Sequence, residues 1–203
     1  DNNTGDNTPT FAGTGSPGDT ITIKDGTTVL GTAVVATDGT WTFTSPVLND
    51  GVHQITTTAT DTAGNTSAPS PALAVTIDAT APATPAAPDL TAGTDTGSSS
   101  RDGITSSSQV LVSQLDSGTI WEVSTNAGSS WTTGSGNSFR LAEGSYASNQ
   151  VQVRQRDDAG NVSTATGNST TWLIDTTAPQ FIAGSSATAA AILENSGNNR
   201  VIY

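Results

Sequence analysis

"ATDTAGNTSAP" at residues 59–69 returns as "QRDDAGNVSTA" at 155–165, and each copy of Asp-x-Ala-Gly-Asn is followed by Ile-Asp-x-Thr-Ala-Pro, at 77–82 and again at 174–179. Asp61 lies 96 positions before Asp157 and Asp78 lies 97 before Asp175, a one-residue difference that a loop absorbs. Self-similarity at a fixed period is the mark of a tandem array. Upstream, "DNNTGDNTPTFAGT" (1–14) aligns with "DGITSSSQVLVSQL" (102–115). The expected organisation is a first domain at 1–79 lacking its first strand, a second at 80–178, and the opening of a third at 179–203, the whole being a piece of a longer array. Past Pro179, "AAILENSGNNRVIY" (190–203) reads as strand, turn and strand.

Hydrophobic residues make up only 33% of the 203 and charged residues 12%, so each core must be thin, which suits two packed sheets. "DTITIKDG" (19–26), "GTWTFTSP" (39–46), "HQITTTATD" (53–61) and "NQVQVRQRD" (149–157) alternate apolar with Thr or charged residues, the period of half-buried strands. No segment sustains a helical period; the nearest, "SSATAAAILENS" (185–196), is equally able to enter a strand. About seven short strands per repeat with turns every 8–12 residues predict an all-β chain of tandem immunoglobulin-like sandwiches, plus the opening strands of a further one. The expected core holds Val34, Trp41, Phe43 and Ile55 in the first domain. In the second it holds Val110, Val112, Ile120, Trp121, Val123, Val151, Val153 and Leu173.

A net charge of −12, from 15 Asp and 3 Glu against 6 Lys and Arg, argues against nucleic acid, whose phosphates want a basic surface. It favours a cationic partner. Cysteine is absent, which removes disulfides and thiolate chemistry, and the apolar runs are too short to cross a bilayer as a helix. The single histidine, His53, sits at a strand start without a nearby nucleophile, and the carboxylates lie on hydrated turns, so an enzyme is not expected. "STNAGSSW" (124–131) resembles the hairpin motif called an Asp-box, with Asn126 in place of its Asp, and predicts a hairpin between Val123 and Trp131.

Residues 7–82, "NTPTFAGTGSPGDTITIKDGTTVL" through "AVTIDATAP", resemble the bacterial Ig-like repeats of giant, calcium-dependent, type I secreted adhesins of the RTX type. "PDLTAGTDTGSSSRDGIT", "WEVSTNAGSSWTTGSG" and "VQVRQRDDAGNVS" are similar to a sister repeat of those proteins, and "ILENSGNNRVIY" resembles the first strands of a cadherin-like repeat. The resemblance implies an extracellular stalk on the bacterial surface whose linkers Ca²⁺ stiffens. Ca²⁺ takes six to eight oxygens, which Asp, Asn and Gly-rich turns supply. In a sandwich Asp61 and Asp78 face opposite poles, some 20 Å apart over a seven-residue strand, so they cannot share an ion. Asp157 and Asn161 are therefore expected to meet Asp78, with Asp158 and Asp89 in reach. By translation Asp175 would meet Glu194, the match to a cadherin-like ligand, while Asp61 and Asn65 would serve a preceding domain. Asp1, Asp6, Asp95 and Asp102 either add oxygens to these joints or cap solvated turns. The linker "DATAPATPAAPD" (78–89) is expected to stay extended through its prolines but to articulate without metal. The expected partners are adjacent repeats of the same chain, with a host or surface glycan or protein engaged through other domains. The competing reading is a ligand-binding module that uses the loop around Trp131.

Overall fold

The computed structural model describes residues 2–90 and 94–179 with the short stretches 182–183 and 190–191. Within these every regular element is a strand. By compactness they divide into residues 1–85 with 114–122 and 154–165, and residues 86–113 with 123–153 and 166 onward.

The first seven strands are β1 (Asn3–Thr4), β2 (Thr10–Thr14), β3 (Thr20–Asp25), β4 (Thr28–Val34), β5 (Thr40–Thr44), β6 (Gly51–Thr60) and β7 (Leu73–Ile77). They form a five-stranded sheet of order β1-β7-β6-β3-β4 and a two-stranded sheet β2-β5. The alternation read from sequence puts Ile21 and Ile23 of β3, Ile55 of β6, and Val75 and Ile77 of β7 on one face. Phe11 and Trp41 from the small sheet pack against them, with Val35 and Leu48. Each such side chain contributes about 1.5–3 kcal/mol by leaving water. Gly13 pairs with Trp41 across β2 and β5, and a Cβ there would stand 2.7 Å from the indole, so the glycine leaves the room the ring occupies.

The next strands are β8 (Ile104–Thr105), β9 (Gln109–Leu111), β10 (Ile120–Ser124), β11 (Thr132–Thr133), β12 (Ser138–Arg140), β13 (Gly144–Tyr146), β14 (Gln152–Arg156), β15 (Thr166–Gly167) and β16 (Trp172–Ile174). Their sheets run β11-β10-β14-β15, β12-β9 and β13-β16-β8. Leu90, Val110, Leu141, Val151, Trp172 and Ile174 form the second core. β8 runs parallel to β16 as β1 does to β7, so the alignment of 1–14 with 102–115 reflects one shared topology. The last pair, β17 (Ile182–Ala183) and β18 (Ala190–Ala191), is antiparallel, and most of the expected strand–turn–strand at 190–203 lies outside the described residues.

Three expected core residues face outward instead. Val34 is 66% exposed while Val35 is buried; Ile120 is 40% exposed beside buried Trp121; Leu173 is 42% exposed between buried Trp172 and Ile174. Successive residues of a strand point to opposite faces, so where apolar residues adjoin only alternate ones enter the core. Phe43 and Val123 are partly buried against their cores, and the other expected core residues are buried.

Candidate functional site

The two copies of Asp-x-Ala-Gly-Asn form the same turn. An isolated bridge closes each one, Thr60 with Thr66 and Arg156 with Val162. The Asp61 amide donates to the Asn65 carbonyl at 3.0 Å and that of Asp157 to the Asn161 carbonyl at 3.1 Å. Each aspartate then accepts from its own asparagine twice: Asp61 from the Asn65 amide and side chain, both at 2.8 Å, and Asp157 from those of Asn161 at 2.8 and 2.9 Å. Gly64 and Gly160 take φ of +87° and +93°, which glycine adopts without a steric penalty. Ser67 and Ser163 extend the motif: their hydroxyls accept the amides of Ala59 and Gln155, both at distances of 2.9–3.0 Å. These hydrogen bonds, led by the Asn65 side chain, hold the Asp61 carboxyl below the usual Asp range.

Asp61 and Asp78 lie at opposite ends of the large sheet, because Gly51 pairs with Ile77 whereas Asp61 follows the far end of β6. The ten residues of β6 make that separation roughly 30 Å, wider than the 20 Å read from a seven-residue strand. The second turn docks on the chain leaving β7, inside the first compact unit. Asn161 Nδ2 donates to the Asp78 carbonyl at 2.6 Å as well as to Asp157, and the Gly5 amide donates to the Ala159 carbonyl at 3.0 Å. A Cβ on Gly5 would stand 2.4 Å from Asn161 Oδ1, so this approach requires glycine. Asp78, Asp157 and Asn161 are thus brought together through the carboxamide of Asn161 and the backbone of Asp78. Asp158 is exposed.

Sequence reasoning missed the carboxylates that cap Ile-Asp-x-Thr. Asp50 accepts from the Ala79 amide at 2.9 Å and from the Thr80 hydroxyl, and Glu143 accepts from the Thr176 amide and the hydroxyls of Thr176 and Thr177. The Thr80 hydroxyl is the main cause that lowers the Asp50 carboxyl, and the Thr177 hydroxyl the main one for Glu143. Asp78 and Asp175 cap the amides two residues on, at 3.2 and 3.1 Å. A repeat search does not find Asp50 and Glu143, because they differ in type and lie on other segments.

Several of the remaining candidates behave as turn caps. Asp6 accepts from the amide and hydroxyl of Thr8, and Asp102 from the Ile104 amide at 3.0 Å. Asp89 is exposed and bridges Leu111 through its backbone. Asp95 is 5% exposed, takes the Gly103 amide at 3.4 Å, and leaves Oδ1 without a partner. With Asp89, Leu90, Arg101 and Trp172 it lines a cavity of about 380 Å³ in the second compact unit. Asp1 and Glu194 lie outside the described residues. Among the described residues no three Asp, Glu or His side chains gather as a metal group. The donors around Asp78 and Asp157 are nevertheless hard oxygens of the class Ca²⁺ takes, and each accepting oxygen retains a second lone pair.

His53, on β6, bonds the Asp25 carboxylate through Nδ1 at 2.7 Å and the Asn49 carbonyl through Nε2 at 2.8 Å, so both ring nitrogens serve the fold. Trp131 is half-buried at the root of the expected hairpin. The turn before it is locked by Asn126 Oδ1, which accepts the Ser130 amide at 2.9 Å and the Ser124 hydroxyl at 2.8 Å. The carboxamide oxygen does there what the motif's Asp would do.

Strands in thin sheets, joined by turns that cap themselves, define an all-β protein of immunoglobulin-like sandwich architecture. Residues 1–79 match the family described as bacterial Ig-like domain. No curated protein matches the chain. Solved structures that match include fibronectin(III)-like modules of Clostridium thermocellum CbhA, with 14% identity over 81% of this chain and 85% of that one and a TM-score of 0.44. Another is the BSP domain of a biofilm associated protein, with 17% identity, coverage of 86% and 29%, and a TM-score of 0.31. A third is the Ca²⁺-stabilized adhesin with which an Antarctic bacterium binds ice, with 20% identity, coverage of 82% and 43%, and a TM-score of 0.38. The chain spans less than half the length of these last two.

Proposed function

We propose that the chain is a structural extender segment of a bacterial surface adhesin, lying outside the cell, in which Ig-like sandwiches follow one another and Ca²⁺ at their joints stiffens the row. The observation that carries this reading is the docking of the Asp157–Asn161 turn on the chain leaving Asp78. The second copy of one repeated phrase completes the end of the other, which a stack of repeats requires and an isolated ligand-binding module does not. Asp78, Asp157, Asp158 and Asn161 would hold the ion; Asp175 with Glu194, and Asp61 with Asn65, would serve the neighbouring joints. A bound cation would offset the mutual repulsion of these carboxylates and raise thermal stability by mass action. Small-angle scattering and melting curves of the chain in millimolar Ca²⁺ and in chelator test it. A longer maximum dimension and a higher melting temperature with Ca²⁺ are expected, and identical curves in the two buffers would refute the role of the ion. The ligand-binding alternative would rest on Trp131, whose half-buried position under a self-locked turn offers little surface for stacking.

A further inference from the structure

Beyond Asp78 the chain carries Pro82, Pro85 and Pro88, none of which has an N–H to anchor it. Between the first two, Ala83 is held on both sides. Its amide donates to Asp116 Oδ2 at 2.7 Å, and its carbonyl accepts from Gln155 Nε2 at 2.8 Å. The two grips are geared together: Gln155 Oε1 accepts the Asp116 amide at 2.6 Å and the Thr119 hydroxyl at 2.7 Å. Gln155 is fully buried, and a buried carboxamide satisfied at both ends fixes one geometry, because any other leaves polar groups unpaired.

The repeat supplies an internal control. The residue that matches Gln155 in the first copy is Ala59, and both donate their backbone amide to the motif serine in the same way. The turn therefore forms without a glutamine, and Gln155 is an addition to the second copy, not a demand of the fold.

We infer that Gln155 and Asp116 form a metal-free clasp on Ala83 that holds residues 78–85 on one path against residues 114–122 and 154–165. The clasp goes beyond the extender reading, since it acts whether or not a cation binds. It would set the direction in which the chain leaves Asp78 beforehand, so that an ion arriving there need not order the segment. All the bonds it uses are made by protein groups, and the central one is made by a neutral amide.

Amide hydrogen exchange at Ala83, read by NMR on the whole chain in chelator, tests the clasp. The wild-type amide is expected to be protected. Gln155→Ala, which gives the second copy the residue of the first, should speed its exchange about tenfold while the β3 and β6 amides keep their rates. Asp116→Ala, at an exposed position, provides a second variant should the buried substitution unfold the protein, and it should do the same at Ala83. An Ala83 amide that is protected only with Ca²⁺, or that keeps its protection in these variants, overturns the proposal. Failure of the calcium reading is separate: it would show as scattering curves that ignore chelator while Ala83 stays protected.

Discussion

Replacing Asn161 and Asn65 by alanine, one at a time, isolates the energy of the docked turn, because the two asparagines make identical bonds within their own loops. Both asparagines lie in the first compact unit. The loop terms cancel in the difference between the variants. What remains is the 2.6 Å bond from Asn161 Nδ2 to the Asp78 carbonyl and the close approach of Asn161 Oδ1 to Gly5. A carbonyl that loses its hydrogen-bond partner forfeits about 1–3 kcal/mol when buried, and half-burial at Asp78 places the expectation at about 1–2 kcal/mol. With a urea dependence of roughly 1–2 kcal/mol per molar, Asn161→Ala should unfold at a midpoint about 1 M below Asn65→Ala, with unchanged slope. Equilibrium urea titration followed by circular dichroism measures this. Equal midpoints for the two variants would mean that the contact contributes nothing, and the docking of the second copy on Asp78 would lose its energetic basis.

Gly13→Ala places a Cβ 2.7 Å from the Trp41 ring and should cost about 1–3 kcal/mol; an unchanged melting temperature and near-UV spectrum would contradict the packing. The hydrogen bond to Asp25, and next that to the Asn49 carbonyl, raise the His53 pKa, while the bond from His53 lowers that of Asp25. The His53 contribution is therefore full below about pH 6.5 and lost as pH rises through the folded value. That of Asp25 is present above about pH 4 and lost as pH falls, so the pair should support stability between these limits. Solvent screening keeps the effect under about 1 kcal/mol, and an NMR titration that puts the His53 midpoint at or below that of a free histidine would refute it. Glu122 is 8% exposed and bonds Arg154 at 2.7 Å and Arg156 at 3.3 Å. Glu122→Ala, which removes the carboxylate that both guanidinium groups share, should cost about 1.5–3 kcal/mol in thermal or urea unfolding, and a loss under about 1 kcal/mol would show the pair to be solvated.

The sheets were legible because alternation is a local signal: Ile21 and Ile23, or Val151 and Val153, announce their face by spacing alone. Neighbouring apolar residues defeat the same signal, as at Val34 and Val35, since either phase of the alternation satisfies the pattern and only the strand end decides. The turn at Asp-x-Ala-Gly-Asn was legible as a repeat, through the offset of 96 between its copies. Asp50, Glu143 and Asp116 were not. Each caps a backbone amide 29 to 33 residues away, and no local pattern ties a carboxylate to an amide at that distance. Gln155 was within reach of the alternation through Val151 and Val153, which puts position 155 inside. Its polar side chain hid it from a reading that looked for apolar residues.

The two kinds of polar group in these turns divide the work by their chemistry. Asp61, Asp157, Asp50 and Glu143 each spend acceptor capacity on amides and hydroxyls of the chain, which sets loop shape. The caps made by Asp61, Asp50 and Glu143 weaken as pH falls through their lowered values. Asn161 and Gln155 do not titrate, and they make the bonds that reach from the second copy to the chain leaving the first. A neutral amide donates and accepts at once, so one side chain can bridge two segments that are both rich in carboxylates without adding to their repulsion. In a chain of net charge −12, that suits carboxamides to joining these segments.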